Sequence, residues 1–381
     1  MRIKIALATI VCTAFVLLSA CRKPVNDQSK KDGSSTVAPD VPGGGSIPTG
    51  DKFYFRGRIN YELKIEMTLV RDGDQITGTY FYPRVGKNID LKGSITKDGD
   101  VSLRESDGSG NESGVFKGKW SSNAMGLAQM TGKWSRPDGS KETDFDVYQQ
   151  PIEFQSAVRV VPKVIREINK QSRYSLDAEY PEIDGDARFD KFNREARAMI
   201  TKDVAAFKAA ETNQEPDETS DLPTETQNST LDIGYQIRFA TDDLISVEFN
   251  EGDYSRGAAH GNSVTTVLNY DVKQGKKLAL SDLFNPKSNH LAVISAYCIK
   301  DLREQSKGDK DSMLDEDMMK TGTAPRADNY QAWAITRKGL WITFDPYQVA
   351  AYAAGPQHVL VPYSALKGIM KADAPTASLA G

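Results

Sequence analysis

Residues 53–69 read FYFRGRINYELKIEMTL. Within this stretch Ile65, Met67 and Leu69 alternate with Glu66 and Thr68. A period of two puts one face of an extended segment inward and leaves the other in water. Gly57-Arg58-Ile59 adds a second signal, a glycine followed two residues later by a large apolar side chain. The same spacing returns at Gly78-Thr79-Tyr80, Gly93-Ser94-Ile95, Gly118-Lys119-Trp120 and Gly132-Lys133-Trp134. Glycine weakens a strand unless the sheet bends there or a backbone passes close. Repeated along a meander, it predicts a sheet that coils into a barrel. Turn signals at Asp72-Gly73, Gly86-Lys87-Asn88, Asp98-Gly99, Asp107-Gly108 and Pro137-Asp138-Gly139 mark off about eight strands. Residues 52–150 therefore read as an all-β meander barrel. So short a segment leaves room for a filled interior rather than a wide ligand cavity.

Pro151 marks a boundary, and 151–371 reads as an α+β domain with an antiparallel sheet and packed helices. Strands are expected at 154–161 and 172–180. From Asp186 to Glu211, Phe189, Phe192, Ala196, Ile200, Val204 and Phe207 share one face, which predicts an amphipathic helix with Asp186 as N-cap. Further strands fall at 231–240, 244–250 and 263–272, and 278–284 reads as a strand stepping into a short turn capped by Ser281 or Asp282. Leu291, Ile294, Cys298 and Leu302 give a second helix. A last hairpin turns at Lys338-Gly339, and a closing helix covers 364–370. Residues 372–381 are expected to be a disordered tail.

Two segments stand out for function. Phe344–Gln357, FDPYQVAAYAAGPQ, carries no charge after Asp345, whereas a solvated loop is normally polar. It reads either as a buried lid or as a tyrosine-bearing contact loop. The second segment, Tyr254 to Asn262, is rich in glycine and alanine and contains His260. Tyr254, His260, Asp345, Tyr347 and Tyr352 are the candidate binding residues. His260 and Asp345 flank the two segments and could act as an acid–base pair or share a metal. A histidine hydrogen-bonded beneath a loop is the plainer reading.

The first residues state an address. Arg2 and Lys4 precede an apolar run from Ile5 to Leu18, too short to be a dependable membrane span, which ends in Leu18-Ser19-Ala20-Cys21. Small residues before a cysteine at this distance form a lipobox. Residues 1–20 read as a lipoprotein signal peptide and Cys21 as the acylated first mature residue, which anchors the chain to a membrane. Residues 21–51, rich in Pro, Gly, Ser, Asp and Lys, read as a flexible tether spanning roughly 30 Å on average. The expected location is the cell envelope: the periplasmic face of the outer membrane, or the surface, if the cell is Gram-negative.

Without residues 1–20 the net charge is about −6, which argues against a nucleic acid partner. Cys12 leaves with the signal and Cys21 takes lipid, so Cys298 has no cysteine to pair with and reads as a buried structural residue. Residues 211–232 hold seven acids and no base, either a solvated loop or a field that draws in a basic partner. His260, His290 and His358 are not at metal-ligand spacing, and no nucleophile elbow or phosphate loop occurs. No cofactor, metal or catalytic residue is assigned.

Taken in order, Gly257-Ala258-Ala259-His260-Gly261-Asn262, the Leu278–Phe284 segment with its following helix, and Phe344–Gly355 closing through Val361-Pro362-Tyr363 resemble the extracytoplasmic domain of the RsiV family. The barrel in turn looks like a small calycin-type fold. The RsiV resemblance covers roughly 155–370. It implies a binding domain facing the cell wall. In the founding member that domain binds lysozyme and belongs to an anti-sigma factor, and the same domain also accompanies polysaccharide deacetylase modules. The chain shows neither an anti-sigma segment nor a deacetylase module. The expected function is a membrane-anchored lipoprotein that captures lysozyme or another wall-associated ligand. The alternative is an envelope polysaccharide hydrolase or deacetylase using His260 and Asp345.

Overall fold

The computed structural model describes residues 52–123, 125–212, 227–307 and 313–379. The expected signal peptide, Cys21, the tether and the centre of the acidic stretch lie outside the described residues.

Eight antiparallel strands close into a barrel in chain order. They are β1 (Lys52–Ile59), β2 (Leu63–Asp72), β3 (Gln75–Phe81), β4 (Ile89–Ile95), β5 (Asp100–Ser106), β6 (Glu112–Ser122), β7 (Ala128–Ser135) and β8 (Thr143–Gln150). Each expected turn signal sits between two of them. The interior is filled, as expected, by Phe55, Leu69, Ile76, Leu103, Phe116 and Val147, all buried. Phe53 and Phe55 both meet Trp120 edge to face, with ring centroids 5.0 and 5.2 Å apart. The repeated glycines are what let so small a barrel close. A Cβ on Gly57 would lie 1.9 Å from Asp146 O, and one on Gly93 1.9 Å from Ser102 O; the other motif glycines meet neighbouring carbonyls in the same way.

The second domain is built on a six-stranded sheet in the order β14-β13-β12-β11-β10-β9. Its strands are β9 (Arg159–Asn169), β10 (Tyr174–Asp184), β11 (Ser229–Ala240), β12 (Leu244–Tyr254), β13 (Asn262–Asp271) and the short β14 (Lys276–Lys277). Helix α1 (Asp190–Thr212) covers one face with Phe192, Ala196, Ile200 and Val204. Asp186 caps the 3-10 turn that leads into α1 by accepting from Arg188 N. A second core lies under α2 (His290–Gln305), where Ile294, Cys298 and Leu302 are fully buried. It joins α3 (Glu316–Gly322), a three-stranded sheet of β15 (Trp333–Ile335), β16 (Gly339–Phe344) and β17 (Gln357–Pro362), and α4 (Tyr363–Leu366).

Several expectations are corrected. The first strand begins at Arg159 rather than 154, because Gln155 N and Ser156 N are held by the Asp242 carboxylate. Leu278–Phe284 has the expected turn but not the strand before it: Asp282 accepts from Ala279 N at 3.0 Å and winds 280–283 into a 3-10 turn. The polar stretch after Ser306 contains α3, capped by the Asp315 carboxylate. The end of the chain is not a frayed tail as far as Leu379: Ala374 and Thr376 are buried, and Leu379 packs on the second core. The large sheet is also not wholly antiparallel, since β10 and β11 run parallel.

That parallel pair positions the barrel. β10 and β11 stay together from Tyr174–Ser229 to Ala178–Ile233 and then part. Barrel residues and the boundary residue Pro151 occupy the gap. Tyr235 O accepts from Arg56 Nη1, Ile237 N donates to Gln150 Oε1 at 2.7 Å, and Ala240 N donates to Pro151 O at 3.0 Å. The Arg56 guanidinium lies over the Tyr235 ring, 3.5 Å from its centroid, and pairs with Glu66 at 2.5 Å and Glu179 at 2.6 Å. On another side, Met125 and Leu127, between β6 and β7, pack on Ala334 and Trp341.

Glu179 is only 1% exposed, so removing Arg56 strands a carboxylate away from water. Arg56→Ala is expected to cost about 3–5 kcal/mol in urea unfolding. A loss no larger than that of an ordinary surface substitution would show that Lys64, 3.7 Å from Glu179, is a sufficient partner.

Candidate functional site

β12 and β13 are joined by the loop 255–261, and β16 and β17 by the loop 345–356. The two loops meet. Tyr352 Oη donates to Gly261 O at 2.6 Å. The His260 ring lies 4.2 Å from that of Tyr352, tilted by 31°. Tyr347 completes the cluster at 5.4 Å from Tyr352 and 6.5 Å from His260.

Local chemistry fixes each loop. Tyr254 Oη donates to Ala258 O at 3.1 Å and closes the glycine–alanine loop on itself. Arg256 anchors that loop through Ser229 Oγ and Ser172 O. In the other loop, Gln348 Nε2 donates to Gly322 O and Asn329 O, while Val349 and Ala350 are buried. Gly322 must be glycine, because a Cβ there would lie 1.9 Å from Gln348 O. The apolar loop is packed in part and exposed in part. Its middle is a packed lid, and its first turn carries Tyr347 outward with 58% of its surface exposed. Tyr347 has φ of 69°, a left-handed backbone that costs a residue with a Cβ about 1–2 kcal/mol. Strained residues cluster at functional sites.

Of the five expected residues, His260, Tyr347 and Tyr352 are brought together. Tyr254 supports the His260 loop from within. Asp345 serves the other loop: its carboxylate accepts from Thr265 N at 3.0 and 3.2 Å. Burial pushes the Asp345 carboxyl above its ordinary range, against the Thr265 hydrogen bonds. His260 Nδ1 lies 2.7 Å from Gly261 O, and no hydrogen bond joins His260 to Asp345. Among the described residues no three His, Cys, Asp or Glu side chains gather closely enough to hold a metal ion.

A buried polar cluster lies beneath, which the sequence reading did not identify. Glu248, 1% exposed, pairs with Arg238 at 2.6 Å. Burial raises the Glu248 carboxyl, but Arg238 outweighs it and holds the group below its ordinary value. Thr343 Oγ1 donates to Glu248 at 3.4 Å and lies 3.2 Å from His358 Nδ1. His358 and Arg238 both contact Trp341, His358 stacked at 5.0 Å and Arg238 over the ring at 5.0 Å. The signal was present in sequence: Glu248 lies between Val247 and Phe249 within a strand whose neighbours are apolar.

Two segments of the chain match known families. Residues 281–364 match the family described as "Protein of unknown function (DUF3298)". Residues 168–263 match the family described as "Deacetylase PdaC". His260 falls in the second segment, and Asp345, Tyr347 and Tyr352 fall in the first. Over 167 residues the chain is 32% identical to the peptidoglycan-N-acetylmuramic acid deacetylase PdaC of Bacillus subtilis. The alignment covers 43% of this chain and 35% of that protein, so the chain spans about a third of the relative's length. A DUF3298 family member from Bacteroides fragilis aligns with a TM-score of 0.41 and 15% identity, over 60% of this chain and 99% of its own. One from Pseudomonas aeruginosa aligns with 0.42 and 20%, over 58% and 95%.

Burial brings the His358 imidazole down to about 4, with Glu248 opposing and Arg238 assisting. Between about pH 4 and 6.5 the unfolded chain binds a proton that the folded chain refuses. Stability is therefore expected to fall as pH drops through this window, by up to about 3 kcal/mol. Thermal unfolding of His358→Asn should lack that component. An unchanged pH profile in the variant would assign the acid sensitivity to other groups.

Proposed function

We propose that the chain is an envelope lipoprotein, anchored through acylated Cys21, whose second domain captures a wall-associated ligand through the paired loops 255–261 and 345–356. The ligand is a glycan of the wall or a lysozyme that acts on it. The observation that carries this reading is the exposed Tyr347, held in a left-handed backbone beside Tyr352 and His260. An amphipathic ring fixed in advance loses little entropy on binding, which is why tyrosine is favoured at recognition surfaces. The likeness to a protein named as a peptidoglycan deacetylase supports a ligand in the wall. So do the lipobox at Cys21 and the resemblance to the RsiV family.

The test is Tyr347→Gly. It removes the ring and relieves the backbone, so stability is expected to stay level or rise by up to about 1 kcal/mol. Binding to insoluble wall sacculi or to lysozyme, followed by sedimentation and calorimetry, is expected to weaken about tenfold or more. If the unaltered chain binds neither at tens of micromolar, or the variant binds as well, the reading falls.

A second reading is supported by the same relative: hydrolysis or deacetylation of an envelope polysaccharide, with His260 and Asp345 in the acid–base roles. It requires Asp345 to exchange the Thr265 N–H for His260 or for a substrate when a ligand enters. Turnover of wall fragments that disappears in His260→Ala, with folding intact, is its expected signature. Turnover that survives the substitution would remove His260 from the chemistry.

A further inference from the structure

The inward register of β5 runs Val101, Leu103, Glu105. Glu105 is therefore a carboxylate inside a barrel, and it is 3% exposed. Its Oε2 accepts from Tyr80 Oη at 2.5 Å and from Trp134 Nε1 at 3.1 Å. Its Oε1 accepts no hydrogen bond, and no Lys, Arg or His pairs with Glu105 among the described residues. Space for this group has been set aside. A Cβ on Gly114 would lie 2.5 Å from Glu105 Oε1 and 2.6 Å from Trp134 Nε1.

The surroundings are aromatic. Tyr82 and Trp134 are half-buried and pack at the rim of the barrel core. The Tyr82 ring meets that of Tyr80 edge to face at 5.6 Å, and the two hydroxyls are 3.5 Å apart. Ile89 lies at the same end. A carboxylate with so little surface exposed is favoured by a positive partner, and here one oxygen has two protein donors while the other meets only solvent at the mouth. Tyrosine and tryptophan faces attract cations.

We propose that this barrel mouth binds a compact ammonium group, the primary amine of an amino sugar or of a peptide side chain, with Glu105 as counter-ion and Tyr82 and Trp134 as walls. The ammonium donates to Oε1, the oxygen the fold leaves open, while Tyr80 and Trp134 hold the carboxylate in place through Oε2. An acetylated nitrogen brings bulk and no charge, so the site distinguishes a free amine from its amide. The inference stands apart from the paired loops of the second domain and shares no residue with them.

The experiment titrates the full chain with glucosamine, N-acetylglucosamine and Nα-acetyl-lysine amide while the Trp134 indole N–H resonance is followed, assigned by its loss in Trp134→Phe. A saturable shift with at least one amine in the millimolar range, and none with N-acetylglucosamine, is expected. The tighter of the two amines names the source as glycan or peptide. Glu105→Gln keeps an acceptor for Tyr80 and Trp134 but removes the charge, and should weaken the amine about tenfold. Tyr82→Leu, which breaks no hydrogen bond to Glu105, should weaken it severalfold if the glutamine variant does not fold. An absent shift at tens of millimolar, or equal responses to glucosamine and N-acetylglucosamine, overturns the proposal and leaves Glu105 as an internal brace. So does a folded Glu105→Gln that binds as before.

Discussion

Backbone polar groups inside a protein must be satisfied, and the fold turns on one place where a sheet cannot do this for itself. β10 and β11 are parallel neighbours for one short stretch and then separate. The strand left behind, β11, presents Tyr235 O, Ile237 N and Ala240 N to an opening in its own sheet. Arg56, Gln150 and Pro151 close it. The barrel is thus a filler of hydrogen-bonding positions as well as a domain. Burying the Arg56 charge is tolerable because Glu66, Glu179 and the Tyr235 ring all lie within reach.

The same large sheet also supports the candidate site. Thr265 N holds Asp345, and Glu248 reaches Thr343, so the 345–356 loop is tied at its root to strands of a different sheet. The loop then has two characters. Gln348, Val349 and Ala350 are locked by backbone acceptors and burial, and Tyr347 is turned outward before them. Rigid support beside one strained, exposed ring is what a preorganised contact requires.

Much of this was legible in the sequence because it rested on local rules. The glycine repeat predicted a tightly closed barrel, and the atoms that a Cβ would strike are the neighbouring carbonyls. The apolar stripe from Phe189 predicted α1, while Asp186, the expected N-cap, caps the 3-10 turn that precedes it. Meeting of the two glycine–alanine segments was also foreseeable, since each lacked the polarity of a free loop. What stayed hidden depended on partners distant in the chain. Nothing near Arg56 announces Glu179, and nothing near Thr343 announces Glu248 or His358. Glu105 was within reach: it occupies an inward position of an alternating strand, where a charge breaks the pattern. In Leu278–Phe284 the turn and its Asp282 cap were legible, but the apolar residues before it suggested a strand that Asp282, by capping Ala279 N, leaves no room for.

The junction between the two domains has one more consequence. β8 ends at Gln150, and only two residues later Ile152 bridges to Ala240 in the large sheet. Between the domains there is no slack. β1, where the described chain begins, is hydrogen-bonded on both flanks, to β2 and to β8. A pull on the segment before Lys52 would load these two ladders in shear along their length. Through β8 it would reach the large sheet, which carries the loop 255–261. Chain entry, barrel and large sheet are thus joined by continuous backbone hydrogen bonding, so tension at one end would be felt at the other as force rather than as a change of shape.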